Sequence, residues 1–312
     1  MLPAYMSYLS SGIDSRDVIA CLGLISDTHM PDRCLALPAS LTDVFRDVDM
    51  ILHAGDVGAL WVLDQLSAIA PVIAVHGNDE LAGAQQALPY EQVIVVGGQR
   101  ILLCHTHDPN RIAELELRKE DRWEPKLTRW AKFTERSEAS MLVFGHTHIP
   151  MAVQQDNALL INPGAIASGS TITRQVYQTV ALLFIRRDQK PIVVHIDLNA
   201  PQQPFDTTFD REAGFAAVSN RYSKSLFDPD IAASWSPMEA RLRQMLVDPA
   251  MVPVFNVFLD LLRRSAYRHW ESSTNTINRT ELLDLLNEAA ANPIVPASVI
   301  ADFKMFLGLI KV

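Results

Sequence analysis

Five short clusters in the first half of the chain hold the residue types that bind metal ions. They are Ser26-Asp27-Thr28-His29, His53-Ala54-Gly55-Asp56, His76-Gly77-Asn78-Asp79, Cys104-His105-Thr106-His107-Asp108 and Gly145-His146-Thr147-His148. Seven of the nine histidines fall in them. Asp27 with His29, and His146 with His148, are spaced to project the same way from an extended strand end. Imidazole, carboxylate and amide oxygen together suit Mn, Fe, Zn or Ni better than an all-oxygen Ca site. Against two divalent ions, Asp27, Asp56 and a bridging hydroxide leave roughly one positive charge, enough to hold a phosphoryl group, since Asn78 and the imidazoles are neutral. Two ions about 3.5–4 Å apart would also activate a water and stabilise an in-line transition state.

These clusters need strand ends to bring them together. Short apolar runs at Cys21 to Ser26, Asp49 to His53 and Val72 to His76 read as buried strands, with a helix between Ala59 and Ala70. Val93 to Val96 and Arg100 to His105 flank Gly97-Gly98-Gln99, a hairpin turn. Met141 to Phe144, Ala158 to Ile161, Tyr177 to Ile185 and Ile192 to Leu198 complete a layered α/β pattern. In such sheets ligands bind at the carboxyl ends of the strands, where the clusters lie.

After the Pro/Gln-rich stretch Ala200 to Pro204 the pattern turns helical. Ser236-Pro237-Met238-Glu239 reads as a helix start, Asn278 with Glu281 caps another helix, and Val299 to Ile310 forms the last. The expected division is residues 1–204, with a core of about 20–198 and a charged helical insertion at 111–136, then residues 205–312 as a helical domain. The Leu, Phe and Met stripes of that domain read as bundle core, with self-association through these helices as a further expectation.

The chain has 312 residues, 48% of them hydrophobic, and 27 Lys+Arg against 36 Asp+Glu give a net charge of −9. The acidic balance disfavours general nucleic-acid binding, and the apolar content excludes disorder of the whole chain. Three cysteines cannot staple a chain of this length, no apolar run approaches the ~20 residues of a membrane span, and no basic residue precedes Arg16. A cytoplasmic protein with reduced thiols and no membrane partner is expected.

Asp27-Thr28-His29, Gly55-Asp56, Gly77-Asn78, His105, Gly145-His146-Thr147-His148 and Asn162-Pro163-Gly164 resemble, in order, the motifs of the calcineurin-like metallophosphoesterase superfamily. The likeness spans about residues 20 to 198 and is greatest to its small bacterial and archaeal phosphodiesterase branch, which includes a structural relative in the retromer complex. The large protein-phosphatase branch places an Asp-Arg pair after Gly-Asp, where this chain has Val57-Gly58-Ala59-Leu60. The resemblance implies a four-layer α/β/β/α sandwich followed here by the all-α region. It implies two divalent ions per chain, manganese first, with iron, zinc, nickel or magnesium as alternatives. Asp27, His29 and His148 would bind one ion, Asn78, His105 and His146 the other, and Asp56 would bridge. A hydroxide held between the ions would attack a phosphodiester, or a phosphomonoester, in line. A metal-binding scaffold without catalysis and a nuclease are the alternatives.

The family often has His or Cys after Gly-Asn to assist the leaving group, and this chain has Asp79. Beside two metals its pKa should fall, so His107 is the expected phosphate contact or proton donor. His53 and His76 read as structural, Cys104 as core, and the Asn162 turn as a wall of the site. The insertion, with eight basic and six acidic residues, reads as a solvated helix face. The sharper alternative is a cap in which Trp123 or Trp130 stacks on a base.

Overall fold

Side-chain alternation along the first strand decides the layering. Leu22 and Leu24 pack with Ile101, Leu103, Val143 and Leu183, whereas Cys21 and Ile25 pack with Leu41, Phe45, Val62 and Leu66. Successive residues of a strand face opposite ways, so one face meets a second sheet and the other meets helices. The computed structural model describes residues 3–9, 14–81, 83–187, 190–208, 210–270 and 276–308.

Along the chain come β1 (Val18–Ile25), α1 (Leu41–Val44), β2 (Met50–His53), α2 (Trp61–Ser67), β3 (Val72–Ala74) and α3 (Ala84–Ala87). The hairpin β4 (Glu91–Val96) and β5 (Gln99–Cys104) follows, then α4 (Arg111–Lys119) and α5 (Trp123–Arg136). Strands β6 (Met141–Phe144), β7 (Met151–Gln155), β8 (Ala158–Asn162), β9 (Thr173–Gln175), β10 (Thr179–Arg186) and β11 (Ile192–Asp197) precede α6 (Phe215–Tyr222). One sheet has the order β11-β10-β1-β2-β3 and the other β4-β5-β6-β8-β7. β1, β2 and β3 run parallel, as do β5, β6 and β8, so their carboxyl ends gather on common edges. Gly97 and Gly98 both have positive φ, the conformation a two-residue hairpin turn demands.

The second sheet repeats the rule. Leu102, Cys104, Leu142 and Phe144 turn away from the inter-sheet core and pack on Trp123, Leu127 and Trp130 of α5. The result is the four-layer α/β/β/α sandwich expected from sequence. The insertion is therefore two helices, and α5 is a structural layer. Trp123 and Trp130 are only 1% and 3% exposed, so neither offers a face to a ligand.

The chain divides into two units, Met1–Gly169 with Gln175–Ser223, and Ser170–Arg174 with Lys224–Val312. Residues 205–223 thus stay with the sandwich, because Phe205 and Phe215 pack with Val218 and Tyr222 against the α5 layer. The change in composition near residue 205 marks a loop and not the change in packing. The second unit holds α7 (Pro229–Ala233), α8 (Trp235–Val247), α9 (Val252–Trp270), α10 (Arg279–Ala290) and α11 (Ala297–Phe306). Met238, Phe258, Leu261, Leu286 and Phe303 belong to its core. The Asn278 side chain accepts the Glu281 N–H at 3.0 Å and so caps α10. Helix α8 begins at Trp235, whose ring packs 4.2 Å from Phe227. The last helix stops at Phe306, and Ile310 lies outside the described residues. Among the described residues no helix is long and apolar enough to cross a membrane.

Two outcomes follow from this packing. Trp130 stacks 4.6 Å from Phe144 in the α5 layer, so Trp130→Ala should cost about 3–5 kcal/mol in urea unfolding. Burial pushes the β11 imidazole of His195 down to about 4, although its Nε2–H donates to the Asn162 carbonyl at 2.8 Å. The unfolded chain takes up this proton near pH 6.5 and the folded chain only near 4. Stability should therefore be intact above 6.5 and fall by about 3 kcal/mol between 6.5 and 4, and His195→Gln should flatten that slope.

Candidate metal centre

The strand-end loops converge on two buried carboxylates. Asp27 and Asp56 are 0% and 3% exposed, and among the described residues no Lys or Arg lies within salt-bridge distance of either. Imidazoles surround them instead. Asp27, His29 and His148 form one group able to hold an ion, and Asp27, Asp56 and His105 form another. Oδ2 of Asp56 lies 3.5 Å from His29 Nε2 and 3.1 Å from His105 Nε2, so one oxygen faces imidazoles of both groups. Oδ1 of Asp27 lies 3.1 Å from His148 Nε2.

The donor set suits a metal because each ring is turned by its other nitrogen. His105 Nδ1–H donates to the Ala54 carbonyl at 2.8 Å, and His148 Nδ1–H donates to the Ala167 carbonyl at 3.0 Å. These bonds leave Nε2 of both rings as lone pairs aimed among carboxylates, the arrangement of metal-ligating imidazoles. His105 Nε2 is buried and makes no hydrogen bond. Charge tells the same story. Burial alone would lower His105, yet Asp56 and Asp27 raise it to about 9. Burial raises both carboxyls, and the imidazoles outweigh it and hold them well below the usual range. The cavity is built for positive charge.

The same-side projection of Asp27 with His29, and of His146 with His148, has a different origin from the pleat expected. All four residues, and Asp56, have positive φ, between 43° and 69°. The loops coil left-handed just beyond the strands, at a cost of roughly 1–3 kcal/mol per residue that surrounding contacts must offset. Asp and His tolerate this region better than most residues. Glycines supply the space. A Cβ at Gly145 would sit 2.7 Å from Asp27 Oδ2, and one at Gly77 would collide with Asp56 Oδ1.

The other expected residues are placed as follows. Asn78 is exposed between Gly77, which packs on Asp56, and Asp79, whose N–H donates to Asp56 Oδ1 at 2.8 Å. The Asp79 carboxylate pairs with Arg33, whose Nη1 lies 3.3 Å from both ring nitrogens of His29. Asp79 is therefore an ion-pair partner at the rim. His107 is buried, with its ring 5.6 Å from that of His105 and 6.4 Å from that of His146. Burial, then the neighbouring His105 and His146, lower it to about 4. His53 Nε2 lies 3.0 Å from Thr28 Oγ1, and the His76 ring packs against those of both Tyr90 and His107, which also touch each other. The Asn162 amide donates to the Gly145 carbonyl at 2.8 Å, tying its turn to the His146-Thr147-His148 loop.

Over residues 21–188 the sequence matches the Calcineurin-like phosphoesterase superfamily domain. The chain belongs to this superfamily. A probable metallophosphoesterase of Methanothermobacter thermautotrophicus is 34% identical over 145 residues, 46% of this chain and 76% of the relative. A probable metallophosphoesterase of Methanocaldococcus jannaschii is 32% identical over 144 residues, 46% of this chain and 67% of the relative. Among solved structures, a Vps29 variant from Entamoeba histolytica shares 22% identity at a TM-score of 0.44, covering 60% of this chain and 99% of that one.

Two carboxylates of the phosphoesterase domain escaped sequence reasoning. Glu80 accepts the N–H groups of Val57, Gly58 and Gly77, at 3.1, 2.8 and 2.9 Å, and ties the loop after Asp56 to the loop before Asn78. Glu114 of α4 is 7% exposed and lies 2.7 Å from His146 Nε2, while Arg118 donates to it at 2.8 Å. No signal within the sequence separates either from a surface acid. Glu114 leaves Nδ1 of His146 as the nitrogen available to an ion. Glu114→Ala should weaken divalent-metal binding by about 10–100-fold in a chelator-competition titration if the His146 imidazole takes part in it.

Proposed function

We propose that this chain is a dinuclear metal-dependent phosphoesterase with phosphodiesters as its preferred substrates. Oδ2 of Asp56 facing both His29 and His105 is the observation that carries the reading, because one oxygen shared between two imidazole groups suits a bridge between two ions. Asp27, His29 and His148 would hold one ion, Asn78, His105 and His146 the other, with manganese the preferred metal. Two such ions supply Lewis acidity at phosphorus and an activated water nucleophile.

The remaining work falls to the chain. The left-handed loops hold the carboxylates and imidazoles in place before substrate arrives, so little reorganisation accompanies the reaction. Arg33, fixed against His29 by Asp79, brings a guanidinium to the rim of the site, where it can donate to a nonbridging phosphoryl oxygen. His107 lies close enough to both His105 and His146 to contact the departing group.

Purified protein should bind about two Mn²⁺ per chain and hydrolyse bis-nitrophenyl phosphate, and Asp56→Asn should lower kcat/KM by about 100-fold or more. Metal binding with no turnover on any ester, unchanged by Asp56→Asn, would favour a scaffold of the same fold. His107→Ala should slow a natural phosphodiester more than a nitrophenyl ester, whose good leaving group needs no acid. With its imidazole held near 4, His107 would act on the departing oxygen as a neutral hydrogen-bond donor, and equal small losses on both esters would remove that role.

A further inference from the structure

Beside the metal centre, helix α5 sorts its residues by face. Trp123, Leu127, Trp130 and Ala131 enter the core, whereas Arg129, Lys132 and Arg136 fall three and four residues apart on another face. That cationic face borders a cavity of about 470 Å³, the size of a small-ligand site. Phe133 and Tyr90 contribute aromatic wall, and Thr106 and His107 close the end nearest His105. The cavity therefore begins one residue from a candidate metal ligand.

Two observations point to an anionic, hydrogen-bonding occupant. Arg129, Lys132 and Arg136 make no side-chain hydrogen bond or ion pair with any described residue, and Asp108 is the one acid on the lining. Three cations meet one acid on this lining, so an anion would find complementary charge there. Independently, two polar atoms of the lining residues are buried without a hydrogen-bond partner: Thr106 Oγ1 and His107 Nδ1. Buried polar groups are ordinarily paired, so partners from a ligand are implied. The surrounding protein does not supply this positive charge. The first 199 residues carry 16 Lys+Arg against 23 Asp+Glu, so the patch is local.

Resting on the phosphoesterase reading above, we propose that this cavity is a subsite for a small phosphorylated nucleoside. The phosphate would meet Arg129, Lys132 and Arg136 and the base would lie against Phe133 and Tyr90, making the preferred substrate a phosphodiester with a nucleotide on one side. In its hydrolysis water adds across the bond. A P–OH forms, the P–O bond to the nucleoside breaks, and the departing oxygen takes the water proton. A dinucleotide fits this description, since three cations in one cavity match one terminal phosphate and not a long strand.

The test has a binding arm and a turnover arm, both on the full chain. Chelator-treated protein is titrated with AMP and with adenosine by calorimetry. AMP should bind at least roughly tenfold more tightly, and Arg129→Gln or Lys132→Gln should each weaken AMP by about tenfold. Equal binding of AMP and adenosine, or variants without effect on AMP, would overturn the subsite. With Mn²⁺, kcat/KM is compared between the 5′-phosphorylated dinucleotide pApA and bis-nitrophenyl phosphate. Both variants should lower the ratio by about tenfold. Arg100→Gln, outside the cavity, should leave it unchanged. An unchanged ratio in the Arg129 and Lys132 variants, or faster turnover of a 5′-phosphorylated decanucleotide than of pApA, overturns the proposal. Absence of turnover on both esters with AMP binding intact would instead remove the phosphoesterase reading, because the binding arm needs no metal.

Discussion

Two carboxylates buried without a Lys or Arg partner among the described residues are the constraint around which the sandwich is organised. A charge taken out of water costs several kcal/mol unless polar groups replace the lost hydration. Asp27 and Asp56 receive backbone N–H groups from His146 and Asp79, loops remote in sequence, and face the imidazoles of His29, His105 and His148. Those donors reach them only if parallel strands of both sheets end at one place and the chain then coils left-handed. The glycines before Asn78 and His146 follow from the same crowding, since Gly77 and Gly145 lie against the two carboxylates.

A second layer of ties holds these loops in position. Thr28 reaches the Val57 carbonyl, Glu80 gathers three N–H groups from two loops, and Asn162 pins the loop before His146. Glu114 reaches His146 from helix α4. Each tie joins a strand-end loop to a neighbour, so the geometry of the centre is shared among loops and not borne by one. Orientation of a ligand by a partner one bond away is the usual means by which proteins fix imidazoles and carboxylates around an ion.

Helix α5 shows how one element serves both layers. Its indoles complete the core under the second sheet, and its cations line the cavity next to His107. The eight basic and six acidic residues of the insertion look balanced as a count, and Arg118, Lys119 and Arg122 do pair with Glu114, Glu116 and Glu120, but Arg129, Lys132 and Arg136 gather on one face of α5. The Trp residues that suggested base stacking are structural, and the aromatic surface open to a ligand belongs to Phe133 and Tyr90.

Much of this was legible in the chain because it depends on local pattern. Apolar runs marked the main strands, Gly97-Gly98 marked the hairpin, Asn278 with Glu281 marked a helix start, and the spacing of Asp27 and His29 marked a loop that the structure places in a group able to hold an ion. Strand β7 passed unread, since five residues directly after a ligand loop carry little periodic signal. Glu80, Glu114 and Arg33 were invisible for a different reason. Each has a partner 22 to 46 residues away, and an acid that caps a loop is chemically the same residue as an acid in solvent. The sequence by itself thus determined which residues could bind metal and which strands would carry them, because residue type and period are local properties. Only the tertiary structure decided how the backbone turns at each ligand, which carboxylates support them and which face of α5 meets the cavity, because those depend on contacts made after the strands have packed.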